Sequence, residues 1–391
     1  MRAVPRRLLI TGSIAACVGA AAAFPVLAAD PDEPLVQVTA AEGTPIPGKY
    51  IVTLKSGAST ADAAQQVKAA AVERFDGVLN GFAAKLDSAQ LEKLRRDSRV
   101  AAIEQDQIVK INESGTQRRP LPWGLDRIDQ RNRPLSGSFR YNTVARGVHA
   151  YVIDTGIDVK HPGFEGRASI VWKAAQYADG TDCNGHGTHV AGIIGSKQYG
   201  VAKKVKIRAL RVLGCDGTGP MSNVVAAVKW LRNHAAKPSV ANISVGGARS
   251  RALNIAVFNL SKSGVFVAVA AGNDNKPACN TSPAGAAGVV TVGATNASDR
   301  RANFSNYGKC VDIHAPGVGV ASTVPGRGRE VLDGTSMATP YVAGVAAMFL
   351  AGHPKASFTK VERWLKTNAT SGRIKGLPTG TPNKLLFKAK L

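Results

Sequence analysis

The sequence predicts an α/β fold with a mainly parallel central sheet covered by helices on both faces, preceded by a small α+β unit. Two patterns after residue 147 predict the sheet. Short runs rich in β-branched residues are almost continuously apolar, which is typical of strands buried on both faces, and helical patterns lie between them. These runs cover residues 148–153, 207–213, 240–245, 265–270 and 289–293.

Strand and helix signals alternate in the first 111 residues, which predicts the smaller unit. Asp87 is followed three residues later by Gln90, a pattern typical of a helix N-terminus. A polar linker over residues 112–119 separates this unit from the rest of the chain. We expect strands at 49–55, 78–86 and 100–111, and helices at 59–74 and from 88 to about 97.

The N-terminus predicts export. Three arginines precede an apolar run over residues 8–27 that ends on small residues, so we interpret residues 1–28 as a signal peptide of a secreted, extracellular protein. Glycines and a proline inside the run disfavour the alternative of a membrane anchor. Cys17 loosely matches a lipoprotein cleavage site, but the apolar run continues past it, which favours ordinary cleavage.

The net charge of +23 is concentrated after the smaller unit. Residues 1–115 hold 13 basic and 13 acidic side chains, whereas residues 116–391 hold 37 and 14, so the whole excess lies in the larger part. A polycation attracts anionic surfaces without sequence specificity. A solvated basic surface without a dedicated partner is the simpler interpretation. No zinc-finger spacing or RNA-binding signature is present, which argues against a specific nucleic-acid partner.

Four cysteines follow the presumed signal, an even number in an exported chain, and four cysteines allow three pairings. They form no Cys-x-x-Cys pair and lie in no nucleophile motif, so a metal site or thiol catalysis is a poor interpretation. These residues are Cys183, Cys215, Cys279 and Cys310.

Three motifs supply an acid, a base and a nucleophile. Asp154 lies in Tyr-Val-Ile-Asp-Thr-Gly, His186 in Asn-Gly-His-Gly-Thr-His and Ser336 in Gly-Thr-Ser-Met-Ala-Thr-Pro. A serine hydroxyl is a poor nucleophile at neutral pH. It needs an imidazole to take its proton and a carboxylate to hold that imidazole in the right tautomer.

Each of these residues alone also has a structural interpretation. An aspartate such as Asp154 often caps a turn, and Ser336 could be the N-cap of an apolar helix predicted over residues 337–351. His189 shares a motif with His186, and we expect it to have a structural role. The complete motifs, occurring together, favour catalysis.

With these motifs in the chain order Asp, His, Ser, the sequence resembles the subtilisin-like serine proteases. The amino-acid sequences of its motifs are most similar to those of the proteinase K and aqualysin branch. The resemblance covers essentially the whole chain. It implies a catalytic domain over residues 116–391 and a propeptide over residues 29–115, whose ferredoxin-like, inhibitor-like domain spans about 46–111. The mature protein, which we expect to be a monomer, would then begin near Gly115 or Thr116.

The same resemblance implies the remaining site residues. The side-chain amide of Asn273 would complete an oxyanion hole. The backbone of the segments that contain the nine residues given below would flank an extended peptide substrate. The expected specificity is a broad preference for apolar or aromatic side chains before the scissile bond. These substrate-binding residues are Gly217, Thr218, Gly219, Ser244, Val245, Gly246, Ala270, Ala271 and Gly272.

Disulfides and calcium are also implied by the resemblance. The expected pairs are Cys183 with Cys215 and Cys279 with Cys310. We expect no catalytic metal or organic cofactor. Calcium would be structural, and ordinary surface carboxylates are the alternative at both of its sites. The first site would comprise Asp126, Asp129 and Gln130, and the second Asp312 with the backbone carbonyls of Ala287 and Val289.

Two positions depart from the family pattern. Tyr341 replaces the usual histidine after Thr-Pro, and His314 stands where relatives have an aromatic or apolar residue. Neither belongs to the expected triad, so they bear on packing and on the pH range of stability rather than on activity.

The function predicted from the sequence is a secreted, self-processing serine endopeptidase that acts on proteins through an acyl-enzyme, with its own propeptide as intramolecular inhibitor. An inactive relative that binds anionic surfaces and an esterase with the same triad are the alternatives.

Overall fold

The computed structural model describes residues 35–41, 44–69, 72–75, 79–108, 115–118 and 121–391. The predicted signal peptide, with Cys17, lies outside the described residues. The chain divides into two compact units, residues 1–111 and residues 112–391.

Among its described residues, the first unit has a five-stranded sheet and two helices. Its strands lie in the order β1, β5, β2, β4, β3, and β1 is parallel to β5 while the other pairs are antiparallel. The elements are β1 (Val38–Thr39), β2 (Thr44–Leu54), α1 (Thr60–Val67), β3 (Glu73–Arg74), β4 (Gly81–Lys85), α2 (Ser88–Arg95) and β5 (Val100–Ile108).

Helix α1 is shorter than the sequence predicts. It ends at Val67 because Lys68 adopts a left-handed conformation with φ of 49°, and Glu73–Arg74 form a strand instead of a last helical turn. The expectation of a helix to residue 74 is therefore wrong. The predicted N-terminus of α2 is confirmed, because Asp87 and Gln90 exchange side-chain to backbone hydrogen bonds in a capping box.

The second unit is built on a nine-stranded sheet with the order β19, β20, β16, β15, β13, β11, β8, β10, β9. All neighbouring strands are parallel except that β19 is antiparallel to β20. The strands of the second unit, within and outside this sheet, are β6 (Gly115–Gln117), β7 (Phe139–Tyr141), β8 (His149–Asp154), β9 (Ala168–Lys173), β10 (Lys206–Arg211), β11 (Ser239–Ile243), β12 (Gly247–Ala248), β13 (Phe266–Ala270), β14 (Thr281–Ser282), β15 (Val290–Thr295), β16 (Ile313–Pro316), β17 (Val320–Val324), β18 (Gly328–Leu332), β19 (Thr370–Ser371) and β20 (Lys384–Leu385).

Helices cover both faces of this sheet, as the sequence predicts. Successive residues of β8 point to opposite faces, so Val152 joins a core with α4 and α7, and Ile153 joins a core with α5 and α6. Helix α7 is long and apolar enough to span a membrane by length and composition, but 83% of its residues are buried within the protein. The helices are α3 (Trp123–Ile128), α4 (His186–Gly195), α5 (Met221–His234), α6 (Arg251–Lys262), α7 (Thr335–Gly352) and α8 (Phe358–Asn368).

The strand order fixes where a site can form. The chain passes from β10 on one side of β8 to β11 on the other, so the connections that follow β8 and β11 leave the sheet in different directions. In open parallel sheets such a switch point leaves a crevice at the carboxyl ends of the strands. Asp154 is the last residue of β8, and Ser244 follows the end of β11.

Candidate active site

Asp154 and His186 form a hydrogen-bonded pair at this crevice. Nδ1 of His186 lies 2.7 Å from Oδ1 of Asp154, and the carboxylate is fully buried. The backbone N–H of Thr155 donates to the same oxygen at 2.8 Å. With Nδ1 engaged, Nε2 of the ring is the nitrogen left to exchange a proton with a nucleophile.

Glycines allow the two motif segments to approach each other. A Cβ atom at Gly187 would lie 2.1 Å from the carbonyl oxygen of Gly156. Gly185, the residue before α4, has φ of 104°, a conformation that side chains disfavour. His186 is the first residue of α4.

Asp182, which sequence reasoning missed, holds the loop that presents His186. Its carboxylate is 3% exposed and accepts five hydrogen bonds. Oδ1 accepts from Thr155 Oγ1 and from the N–H groups of Asn184 and Gly185, while Oδ2 accepts from the N–H and hydroxyl of Thr188 at 2.8 and 2.6 Å. In sequence it is one of several loop carboxylates, so only convergence in space identifies it.

Two carboxylates act on the pKa of His186. Burial of the ring acts to lower it, but the charge and hydrogen bond of Asp154, helped by the charge of Asp182, outweigh burial and raise the pKa above its usual range. A raised pKa strengthens His186 as a proton acceptor.

Ser336 lies in the first turn of α7 but does not cap it. The N-cap position is Gly334, and no side chain caps the helix. The alternative of a plain N-cap serine is therefore wrong. Ser336 Oγ donates to the carbonyl oxygen of Ser244 at 2.9 Å, so a hydrogen bond to His186 requires a rotation of the hydroxyl away from Ser244.

Asn273 is oriented by its neighbour Thr335. Both the backbone N–H and the hydroxyl of Thr335 donate to Oδ1 of Asn273, at 2.9 and 2.8 Å. Since a backbone N–H can only donate, the facing atom is the oxygen, and the amide NH₂ points the other way. This leaves two N–H donors at the start of α7.

The loop that follows β13 is held by the buried side chain of Asn306. Its Oδ1 accepts from the N–H groups of Asp274 and Lys276, and its Nδ2 donates to the carbonyl oxygen of Ala271. A Cβ at Gly272, which has φ of 102°, would lie 2.3 Å from Nδ2 of Asn306. Asn306 also escaped the sequence analysis, since it lies 30 to 35 positions from the residues to which it hydrogen-bonds.

A cleft of about 390 Å³ opens beside His186. Its walls include both segments expected to flank a peptide, and among its lining residues only His186 is titratable. The segment 270–272 does not line this cleft, and the N–H of Gly272 donates to Thr335 Oγ1. The lining residues are Thr155, Asn184, His186, Leu213, Gly217, Thr218, Gly219, Ser244, Val245 and Gly246.

The ring of His189 contacts the backbone of β18 in the protein interior. Its ring is fully buried, and Nε2 lies 3.2 Å from the carbonyl oxygen of Glu330. Burial lowers its pKa to about 4, so the ring is neutral at neutral pH.

Two disulfides join Cys183 to Cys215 and Cys279 to Cys310, the pairs that the resemblance implies. The first directly follows Asp182 and ties the His186 loop to the segment before Gly217. Each closes a loop of about 30 residues, for which the chain-entropy model gives about 3 to 4 kcal/mol.

The residues of the first expected calcium site are close together. Asp126 Oδ1 and Gln130 Oε1 both accept from the N–H of Ser136, and Asp129 Oδ2 accepts from the N–H of Arg140. Burial, aided by the charge of Asp126, raises the pKa of Asp129 despite that hydrogen bond and the charge of Lys388. A cation between the two carboxylates would relieve their repulsion, although both oxygens of Asp126 already accept from the N–H groups of Ser136 and Gly137.

The second expected site is different. Asp312 Oδ1 lies 2.7 Å from Nζ of Lys366, and its Oδ2 accepts from the N–H of Thr291 at 2.9 Å. No group of three His, Cys, Asp or Glu side chains that could hold a metal occurs within the described part of the chain.

Comparison with known proteins identifies two family models in the chain. The subtilase family matches residues 145–385, and peptidase inhibitor I9 matches residues 49–112.

Relatives match over nearly the whole length. An extracellular serine proteinase of Thermus sp. (strain Rt41A) is 41% identical over 95% of this chain and 96% of its own. Alkaline serine protease ver112 of Corniculantispora psalliotae is 46% identical over 96% and 98%, and proteinase R of Parengyodontium album is 43% identical over 90% and 91%. A crystal structure of a cold adapted subtilisin-like serine proteinase, 48% identical, superposes with a TM-score of 0.67 over 68% of this chain and 98% of that one.

Proposed function

This chain belongs to the subtilase family of serine endopeptidases, and we propose that it is a secreted, self-processing member that cleaves peptide bonds with Ser336, His186 and Asp154. The observation that supports this assignment best is the 2.7 Å pair between Nδ1 of His186 and the buried carboxylate of Asp154. It provides an oriented base in the wall of a cleft that Ser244 also lines, and Ser336 Oγ donates to the carbonyl oxygen of that serine.

In the proposed reaction, Ser336 Oγ attacks the substrate carbonyl carbon while His186 Nε2 takes the hydroxyl proton. His186 then gives that proton to the leaving amine as the C–N bond breaks, which leaves an ester on Ser336. Water attacks this ester by the same proton route and frees the acid product. Asp154 keeps its charge throughout and stabilises the imidazolium.

The negative charge on the substrate oxygen requires donors already in place. We assign this role to the side-chain NH₂ of Asn273 and the backbone N–H of Ser336 in the first turn of α7. The start of a helix also favours negative charge through its dipole. Because Thr335 holds the amide of Asn273 in one orientation, its donors need no reorganisation during the reaction.

The lining of the cleft supports broad specificity. Glycines at 217, 219 and 246 leave backbone accessible for pairing with an extended peptide. No acidic or basic residue other than His186 lines the cleft, so an apolar or aromatic side chain before the scissile bond fits best.

The I9 domain makes the precursor a protease joined to its own inhibitor. We propose self-cleavage near Gly115 or Thr116, so that the mature protein begins there and the propeptide that starts at residue 29 is released. Strand β6 supports this position, since Gly115–Gln117 pairs with Phe139–Tyr141 within the second unit. Secretion is supported by the N-terminal sequence and by the extracellular Thermus relative.

Structural calcium is proposed for the group formed by Asp126, Asp129 and Gln130. Carboxylate and amide oxygens are the ligands that this hard cation prefers. Its role would be to stabilise the loop after α3, with no part in the reaction.

A fluorophosphonate probe tests the proposed function. Wild-type mature protein should become labelled at Ser336, Ser336→Ala should not, and Ser298→Ala, which changes an exposed serine, should react like the wild type. Ser336→Ala should also accumulate as uncleaved precursor. Absence of label on the wild type would favour the alternative of an inactive binding protein. Normal maturation of Ser336→Ala would show that another protease does the cutting.

A further inference from the structure

Lys366 and two carboxylates form a cluster where the family resemblance implies calcium. Nζ of Lys366 lies 2.7 Å from Asp312 Oδ1 and 3.0 Å from Glu362 Oε1. The three side chains are 40%, 20% and 25% exposed. A cation is thus already covalently attached to the protein at this carboxylate.

The coordination of Asp312 leaves no oxygen free of a donor. Oδ1 accepts from Lys366, and Oδ2 accepts from the N–H of Thr291 at the start of β15. The backbone N–H of Asp312 donates in turn to the carbonyl oxygen of Thr291. The ammonium therefore connects α8 to the strands β15 and β16, which is what a bound metal would do there.

The helix positions Lys366 for this contact. Glu362 and Lys366 are four residues apart on α8, with the acid nearer the N-terminus, which is the favourable order for an i,i+4 pair. A lysine ammonium paired with two carboxylates carries its positive charge at neutral pH.

We propose that Lys366 replaces calcium at Asp312, so that the second calcium site implied by the family is a built-in ammonium site in this protein. A calcium ion bound to the same carboxylate would be repelled by the positive charge of the ammonium group. The proposal does not depend on the proteolytic function.

Calcium counting and thermal unfolding test this proposal, on mature protein blocked with phenylmethylsulfonyl fluoride. Isothermal titration should find the same number of bound calcium ions in the wild type and in Asp312→Asn. One ion fewer in Asp312→Asn would overturn the proposal, because calcium would then use this carboxylate.

Thermal unfolding of Lys366→Met is a second test of the proposal, and it does not require Asp312→Asn to fold. In chelator, its apparent Tm should fall by about 2 to 4 °C. Calcium should then raise its Tm by more than it raises that of the wild type, because two carboxylates are left without a cation. Lys360→Met is the matched control: this exposed lysine on the same helix forms no ion pair with any described residue. A wild-type Tm for Lys366→Met in chelator, or equal responses to calcium, would contradict the proposal.

Discussion

Ser336 and Ser244 exchange two hydrogen bonds across the candidate active site. Ser336 Oγ donates to the carbonyl oxygen of Ser244, and Ser244 Oγ donates to the carbonyl oxygen of Ser336, both at 2.9 Å. Asn242 Nδ2 in turn donates to Ser244 Oγ at 2.8 Å. The first turn of α7 is thereby fixed to the end of β11, on the wall of the cleft.

Ser244→Ala should lower kcat/KM by about fivefold, since it removes one hydrogen bond, worth about 1 kcal/mol, that positions the nucleophile. Peptide hydrolysis by the purified mature variant measures the effect. Ser239→Ala is the control on the same strand, because its buried hydroxyl has no partner within the described residues. Equal activity of both variants and the wild type would show that the exchange between Ser244 and Ser336 does not position the nucleophile.

Asn273→Asp should abolish the proposed oxyanion donor but keep the acceptor that faces Thr335. We expect kcat to fall by at least the 100- to 1000-fold loss known for the same type of donor in subtilisin, from which this magnitude is taken. Burst kinetics with an ester substrate would locate the loss in acylation. Asn259→Ala, an exposed change on α6, serves as control. A variant within tenfold of the wild type would refute the role of Asn273.

Asp182→Asn should shift the pH profile as well as the rate. Loss of its charge lowers the pKa of His186, so the acidic limb of kcat/KM moves to lower pH. An amide cannot accept all five hydrogen bonds, so kcat falls too. The control is Asp179→Asn, an exposed carboxylate of the same loop that does not contact Asp182 or His186. An unchanged limb would mean that Asp182 acts through structure alone.

The parts predicted from sequence are those encoded locally. Each strand that the apolar runs predict in the second unit is present, with ends shifted by at most two residues. The capping box of Asp87 and Gln90, also predicted from the sequence, is present as well. Runs of β-branched residues and capping pairs are local signals, and the fold does not override them here.

The missed features depend on residues that are distant in sequence. Asp182 and Asn306 resemble many polar loop residues until the chain folds around them. Lys366 is 54 positions from Asp312, and nothing at either residue signals the pair. The hairpin of β17 and β18 likewise escaped prediction, because its second strand, Gly-Arg-Glu-Val-Leu, has little apolar alternation.

Removal of calcium should destabilise the loop after α3 if the first site is occupied. A chelator should lower the apparent Tm of the inhibitor-blocked wild type. Asp129→Asn should remove part of this response and lower the calcium count by one, since it takes a carboxylate from the group. Asp274→Asn, a change in another loop, should leave the response intact. A chelator response that is identical in Asp129→Asn and the wild type would place calcium elsewhere.

His314 should make the fold sensitive to acid. Its ring is fully buried against Gly293, and neither ring nitrogen has a hydrogen-bond partner among the described residues. Burial, with the charge of Arg301, lowers its pKa to about 4, although the nearby backbone of Lys384 acts in the opposite direction. The native state therefore prefers the neutral ring.

The sign of the pH effect follows from this preference. Above pH 6.5, which is about the pKa of a histidine in the unfolded chain, the ring is neutral in both the folded and the unfolded state. Its contribution to the free energy of unfolding is then fully retained. As the pH falls from 6.5 to 4, only the unfolded chain takes up the proton, so about 3 kcal/mol of the free energy of unfolding is lost.

His314→Leu should remove this loss, whatever its effect on packing, because a packing penalty does not vary with pH. Urea unfolding of inhibitor-blocked protein at pH 7 and pH 4 measures the difference, with the exposed His234→Gln as control. His189, whose pKa is also lowered to about 4, accounts for acid sensitivity that remains. If the wild type and His314→Leu lose equal stability between the two pH values, His314 is not the acid-sensitive group.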